Sequence, residues 1–159
     1  MPQVWDQVQP DHRLIAVLGT LRAVGFDVPG EPKSTSNTRI LVVDDEPMVQ
    51  KFLTVVLTGE GYKVDIVDNG NDALERLGNE EYDVILLDIK LPGMSGIEIY
   101  KELQEGSKSL ARKVIFITGD VMGEDTMAYI LSSGTPYITK PFDAAKLVKE
   151  IGRILSQQS

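Results

Sequence analysis

Three short apolar runs in this chain each end at a chemically useful side chain. Ile40-Leu41-Val42-Val43 runs into Asp44-Asp45, Val84-Ile85-Leu86-Leu87 into Asp88, and Val114-Ile115-Phe116-Ile117 into Thr118. The runs are continuous and β-branched rather than alternating, which is the pattern of strands buried on both faces. Two weaker runs accompany them. Lys63-Val64-Asp65-Ile66-Val67 alternates and Pro136-Tyr137-Ile138-Thr139 is brief, so both read as edge strands.

Amphipathic stretches separate the runs. Pro47 to Thr58 carries Met48, Phe52, Val55 and Val56 at helical spacing, with Pro47 suited to a first turn. Asn71 to Leu77, Ser95 to Gln104, Gly123 to Ser132 and Asp143 to Ser156 repeat the pattern, and Asp143 is placed to cap the last. Strand followed by helix, five times over, predicts an α/β fold with a doubly wound five-stranded parallel sheet, flavodoxin-like, in strand order 2-1-3-4-5.

Ahead of this unit, Leu14, Val17, Leu18, Leu21 and Val24 form one apolar face at helical spacing, between Asp11 and Gly25 as end signals. Gly30 to Thr38 is polar and turn-rich, a linker. The division is therefore an N-terminal amphipathic helix and linker over 1–38 and a domain over 39–156. A helix with one apolar stripe needs a partner: its own domain, a second copy in a homodimer, or another protein.

A net charge of -8 argues against nucleic-acid binding, which needs a basic surface. The chain has no cysteine, so disulfides and thiol chemistry are excluded. No apolar run is long enough to span a bilayer and the N-terminus lacks the pattern of a signal peptide, so a cytoplasmic protein without membrane contact is expected. His12, the lone histidine, is followed by Arg13 and reads as an exposed helix residue.

Parallel strands point the same way, so Asp44, Asp45, Asp88, Thr118 and Lys140 gather at one sheet edge, where ligands bind in such folds. Crowded carboxylates at neutral pH hold a proton or a cation, and all-oxygen donors suit Mg²⁺. Lys140 and the Thr118 hydroxyl supply the remaining parts of a phosphoryl site. Asp88, ending a central strand apart from the Asp44-Asp45 pair, is the candidate nucleophile for an acyl phosphate. Gly119 leaves the pocket open beside Thr118.

These motifs, Val42-Val43-Asp44-Asp45-Glu46-Pro47, Leu86-Leu87-Asp88 through Leu91-Pro92-Gly93-Met94-Ser95-Gly96, Ile117-Thr118-Gly119 and Thr139-Lys140-Pro141-Phe142, resemble the receiver domain of two-component response regulators. The resemblance covers Arg39 to about Leu155. It implies Asp88 as phosphoacceptor, with Asp45, Asp88 and the Lys90 backbone carbonyl on Mg²⁺ and Asp44 acting through the metal's water shell. It implies Thr118 and Tyr137 as switch residues, Lys140 as the phosphoryl-binding lysine, and a cis Lys140-Pro141 bond. The Lys90 side chain stands at the pocket mouth and is expected to modulate dephosphorylation.

The implied partner is a sensor histidine kinase or phosphotransfer protein, and the downstream protein is unnamed by the sequence. Such a domain is no enzyme beyond its own phosphorylation and dephosphorylation. Only Ser-Gln-Gln-Ser follows Leu155, so no output domain is expected and docking near Tyr137 carries the signal. The residues 119–125 resemble receivers of hybrid histidine kinases, which makes a kinase fragment one alternative and a degenerate, phosphorylation-independent binding module another. A magnesium-dependent phosphohydrolase would instead carry Asp-x-Asp on the first strand, where this chain has Asp44-Asp45-Glu46-Pro47.

Overall fold

The computed structural model describes residues 37–119 and 123–158. The amphipathic stretch Leu14 to Val24, His12, most of the linker and Asp120 to Met122 lie outside the described residues.

Among the described residues there are five strands and six helices, in the order β1 (Arg39–Val43), α1 (Pro47–Gly59), β2 (Lys63–Val67), α2 (Gly70–Asn79), β3 (Val84–Asp88), α3 (Gly96–Gly106), α4 (Lys108–Ala111), β4 (Val114–Thr118), α5 (Glu124–Ser133), β5 (Tyr137–Thr139) and α6 (Ala144–Gln157). Every strand pair is parallel, and the order is β2-β1-β3-β4-β5. The expected order and the two expected edge strands are both found. Only the one-turn α4 has no counterpart in the sequence reading.

The period-two alternation of strand side chains sorts the core into two layers. Ile40, Val42, Val84, Leu86, Ile115 and Ile117 face α1 and α6, meeting Leu53, Leu57, Leu147, Ile151 and Ile154. Leu41, Val43, Ile85, Leu87, Val114 and Phe116 face the other way, onto Ala73 and Leu77 of α2, Ile99, Tyr100 and Leu103 of α3, and Ile130 of α5. Strands covered on both sides have no solvent face, which is why their sequences are apolar throughout.

Local signals set the helix starts. Asn69 caps α2 by accepting from the Asp72 N–H. Ser95 and Glu98 form a reciprocal capping box on α3. Asp143 accepts from the N–H groups of Ala145 and Lys146 at the start of α6, as expected.

Helix α1 differs from the sequence reading. The buried residues are Leu53 and Leu57, with Val49 packed beside them. Of the residues noted at helical spacing, Met48, Phe52 and Val55 face outward and are exposed by 79%, 39% and 65%. Two apolar stripes share this helix, and periodicity alone does not say which one the sheet takes.

Candidate functional site

The register brings the strand ends together. Val43 pairs with Leu87, and Asp88 with Ile117, so the residues that follow β1 and end β3 lie side by side. Thr118 pairs with Thr139, which puts Lys140 one residue beyond the sheet edge. Asp44, Asp88 and Thr118 are buried, at 0%, 2% and 0% exposure. Aspartates are almost never fully buried unless something pairs with them.

Lys140 is the local pairing. Its Nζ donates to Asp88 Oδ2 at 3.2 Å and to Glu46 Oε1 at 2.6 Å. It also lies 3.2 Å from Asp44 Oδ2, a charge contact outside hydrogen-bonding geometry. The backbone holds the acids in place. The Glu46 N–H donates to Asp44 Oδ1 at 2.8 Å and the Lys90 N–H to Asp88 Oδ1 at 3.2 Å. Lys140 is itself tied to the sheet by its own N–H, which donates to the Thr118 carbonyl at 2.8 Å. The Lys140-Pro141 bond is cis, as the resemblance implied.

One ammonium faces three carboxylates, and the imbalance shows in the acid constants. Burial, and then the Asp44 charge, push the Asp88 carboxyl up to about 6, against the opposing pull of Lys140. Burial works to lower the pKa of Lys140, but the Glu46 hydrogen bond and the charges of Asp88 and Asp44 outweigh it and hold the ammonium firmly protonated. The cluster as it stands is short of positive charge.

Among the described residues, two buried side-chain oxygens lack hydrogen-bond partners, Asp44 Oδ2 and Thr118 Oγ1. A buried polar atom without a partner costs about 1–3 kcal/mol, so each marks a place where another group belongs. Oxygens of Asp44, Glu46 and Asp88 lie within 4.8 Å of one another and could hold a metal ion. An all-carboxylate donor set in which Asp44 Oδ2 has a charge contact with Lys140 but no hydrogen bond fits a hard divalent cation.

Close packing under the nucleophile explains one glycine. Gly96 donates its N–H to the Ile89 carbonyl at 2.9 Å, and a Cβ there would run into the Asp88 carbonyl. Around Gly119 no described residue comes within 4 Å of a Cβ position.

Of the residues singled out from sequence, the structure thus joins Asp44, Asp88 and Lys140 directly and sets buried Thr118 on the adjoining strand. Asp45 and Lys90 are exposed. Tyr137 is half-buried on β5, against the layer that holds Tyr100 and Phe116. Glu46 is the member the sequence reading gave no role. It is the N-cap of α1, and no periodicity rule tells where the side chain of a cap residue turns.

Comparison with known proteins gives the same picture. The family model of the response regulator receiver domain matches residues 40–152. The response regulator ArlR of Staphylococcus aureus is 36% identical over 121 residues, 76% of this chain and 54% of its own length, so the chain spans about half of that relative. A CheY-like response regulator receiver domain protein from Methanospirillum hungatei superposes with a TM-score of 0.69 at 31% identity, over 76% of this chain and 95% of its own. The response regulator TrrA of Thermotoga maritima, solved in complex with Mg²⁺ and BeF, gives 0.65 at 34% identity, over 74% and 99%. The receiver domain of the sensor histidine kinase PA1611 from Pseudomonas aeruginosa, with a magnesium ion coordinated in its active-site cleft, gives 0.66 at 29% identity, over 75% and 98%. The family match spans residues 40–152, more than half of the chain, and the sheet order agrees with it, so the chain belongs to the response regulator receiver domain family.

Proposed function

We propose that this receiver domain accepts a phosphoryl group on Asp88 and is switched by it. The observation that carries the reading is the pairing of buried Asp88 with Lys140 beside a buried Thr118 hydroxyl that has no hydrogen-bond partner among the described residues. A phosphoryl group on Asp88 would supply the oxygens that both lack.

In the forward step an Asp88 carboxylate oxygen attacks phosphorus. The bond from phosphorus to the donor's leaving atom breaks, and the leaving group keeps the electron pair. That atom is an imidazole nitrogen of a sensor histidine kinase or phosphotransfer protein, or the acetate oxygen of acetyl phosphate. Lys140 neutralises one phosphoryl oxygen and the Thr118 hydroxyl donates to another. Water later attacks phosphorus, releasing phosphate and restoring Asp88. Bound Mg²⁺ supplies charge neutralisation on the phosphoryl oxygens. Asp44, Asp45, Asp88 and the Lys90 carbonyl are the residues proposed to hold it, and the position of Glu46 makes it a further candidate.

Thr118 drawn toward the phosphoryl group frees space behind it, and Tyr137, half-buried two residues before Thr139, is positioned to respond. The output is a changed docking surface on α5, β5 and α6. The reading includes a cytoplasmic location, which suits a chain without cysteines. Among the described residues no helix is long and apolar enough to cross a membrane.

Intact mass after incubation with Mg²⁺ and acetyl phosphate tests the proposal. One added phosphoryl group is expected, absent in Asp88→Asn. No adduct, or the same adduct in that variant, would sink it.

A further inference from the structure

We propose that the outward stripe of α1, Met48, Phe52 and Val55, is the seat of the chain's own N-terminal amphipathic segment, residues 14–24. The inference is independent of the chemistry at Asp88.

The stripe is unusual for a surface helix. Its residues recur at i, i+4 and i+7, so they form one continuous apolar row. They are 79%, 39% and 65% exposed. Phe52 lies flat against Phe142, with ring centroids 5.8 Å apart and planes 5° from parallel, which extends the row toward the start of α6. The opposite side of α1 is equally apolar and is used by the core through Leu53 and Leu57. From Pro47 to Gly59 the only charged residue is Lys51, although a quarter of the whole chain is charged. A helix that is apolar on both sides is one that is covered on both sides.

The chain carries a matching element. Leu14, Val17, Leu18, Leu21 and Val24 make one apolar row on a predicted helix, and a single such row likewise needs a partner. Eleven helical residues span about 16 Å, enough to cover the roughly 10 Å from Met48 to Val55.

The tether reaches. The described chain enters β1 at the same edge of the sheet where α1 ends, because the Lys63 N–H donates to the Thr38 carbonyl at 2.9 Å just after the turn that follows Gly59. Met48 lies about 17 Å up the helix from that edge. The thirteen residues 25–37 span up to about 40 Å when extended. A tether of this length gives an effective concentration in the millimolar range, well above that of a second copy at micromolar protein. The same chain therefore fills its own stripe first.

The chain has no cysteine, so a single introduced thiol reports alone. Val55→Cys places it in the stripe, and Glu81→Cys places a control at an exposed loop position between α2 and β3. Alkylation by N-ethylmaleimide in the full chain is expected to be about tenfold slower at position 55 than at 81, equivalent to about 1.4 kcal/mol of docking. Adding Leu18→Lys and Leu21→Lys, which lie outside the domain core, is expected to raise the rate at position 55 to that at 81. Equal rates from the outset would overturn the proposal, as would protection that survives the two lysines. Protection that grows with protein concentration, together with a doubled solution mass, would assign the stripe to a second copy and overturn it as well.

Discussion

Lys140 Nζ meets Asp88 Oδ2 at 3.2 Å, joining the ends of β5 and β3 across 52 residues of sequence. This contact does not balance the site. Asp88 remains harder to ionise than a free carboxyl because burial and Asp44 together outweigh the lysine.

Metal-free stability should therefore depend on pH through Asp88. Its folded value of about 6 lies above the ordinary 3.8. A carboxyl raised on folding favours the folded state below the ordinary value, and that contribution is lost as pH rises through the folded value. A difference of this size corresponds to about 1–3 kcal/mol. In EDTA, urea unfolding should show the protein losing about that much between about pH 4 and pH 7. Asp88→Asn should flatten the loss and be the more stable protein at about pH 7.5. An equal or lower stability of the variant there would contradict the electrostatic account.

Metal affinity should separate the two exposed acids. Glu46 is held by Lys140 at 2.6 Å, whereas Asp45 makes no hydrogen bond among the described residues. Asp45 is free to turn toward an ion, and Glu46 must first give up a short charged bond. Asp45→Asn should weaken Mg²⁺ binding by about tenfold or more, about 1.4 kcal/mol, and Glu46→Gln by clearly less. Calorimetric titration with Mg²⁺ decides between them, and the reverse ranking would make Glu46 the ligand.

Thr118→Val removes a buried hydroxyl that has no hydrogen-bond partner among the described residues. The unphosphorylated protein should gain about 1 kcal/mol, because the desolvation cost of that oxygen disappears. Acetyl phosphate should still label Asp88, while the change in Tyr137 fluorescence or ring NMR signals on labelling should shrink. A destabilised variant with a full response would show that the hydroxyl has a partner at rest and no role in the switch.

Two glycine-to-alanine changes should move stability in opposite directions. Gly78 sits inside α2 with open space around it, so alanine should stabilise by about 0.5–1 kcal/mol. Gly96 begins α3 against the Asp88 carbonyl, so its Cβ must push the helix off the strand. There alanine should cost about 1–3 kcal/mol despite its better helix propensity. Thermal melts of both proteins check the pair, and similar shifts would mean that the approach at Gly96 relaxes easily.

The sheet is largely legible in the sequence because parallel strands buried on both faces leave an unmistakable trace, as in Val84 to Leu87. The helices are legible through their caps, as with Asp143. The core face of α1 is not, because Met48-Phe52-Val55 and Val49-Leu53-Leu57 satisfy the same period. The four-residue α4 escapes sequence reading because so short a segment has no period to detect.

The sequence by itself determined which strands lie inside the sheet and which at its edges, and the sheet edge at which Asp44, Asp88, Thr118 and Lys140 end, because continuous apolar runs mark central strands and parallel strands end together. Tertiary structure alone decided which stripe of α1 is buried, that Glu46 joins the acids while Asp45 faces solvent, and that Thr118 Oγ1 has no hydrogen-bond partner among the described residues. Those outcomes depend on where side chains land across strand ends far apart in the chain. Packing and burial set that placement, and no local pattern encodes it.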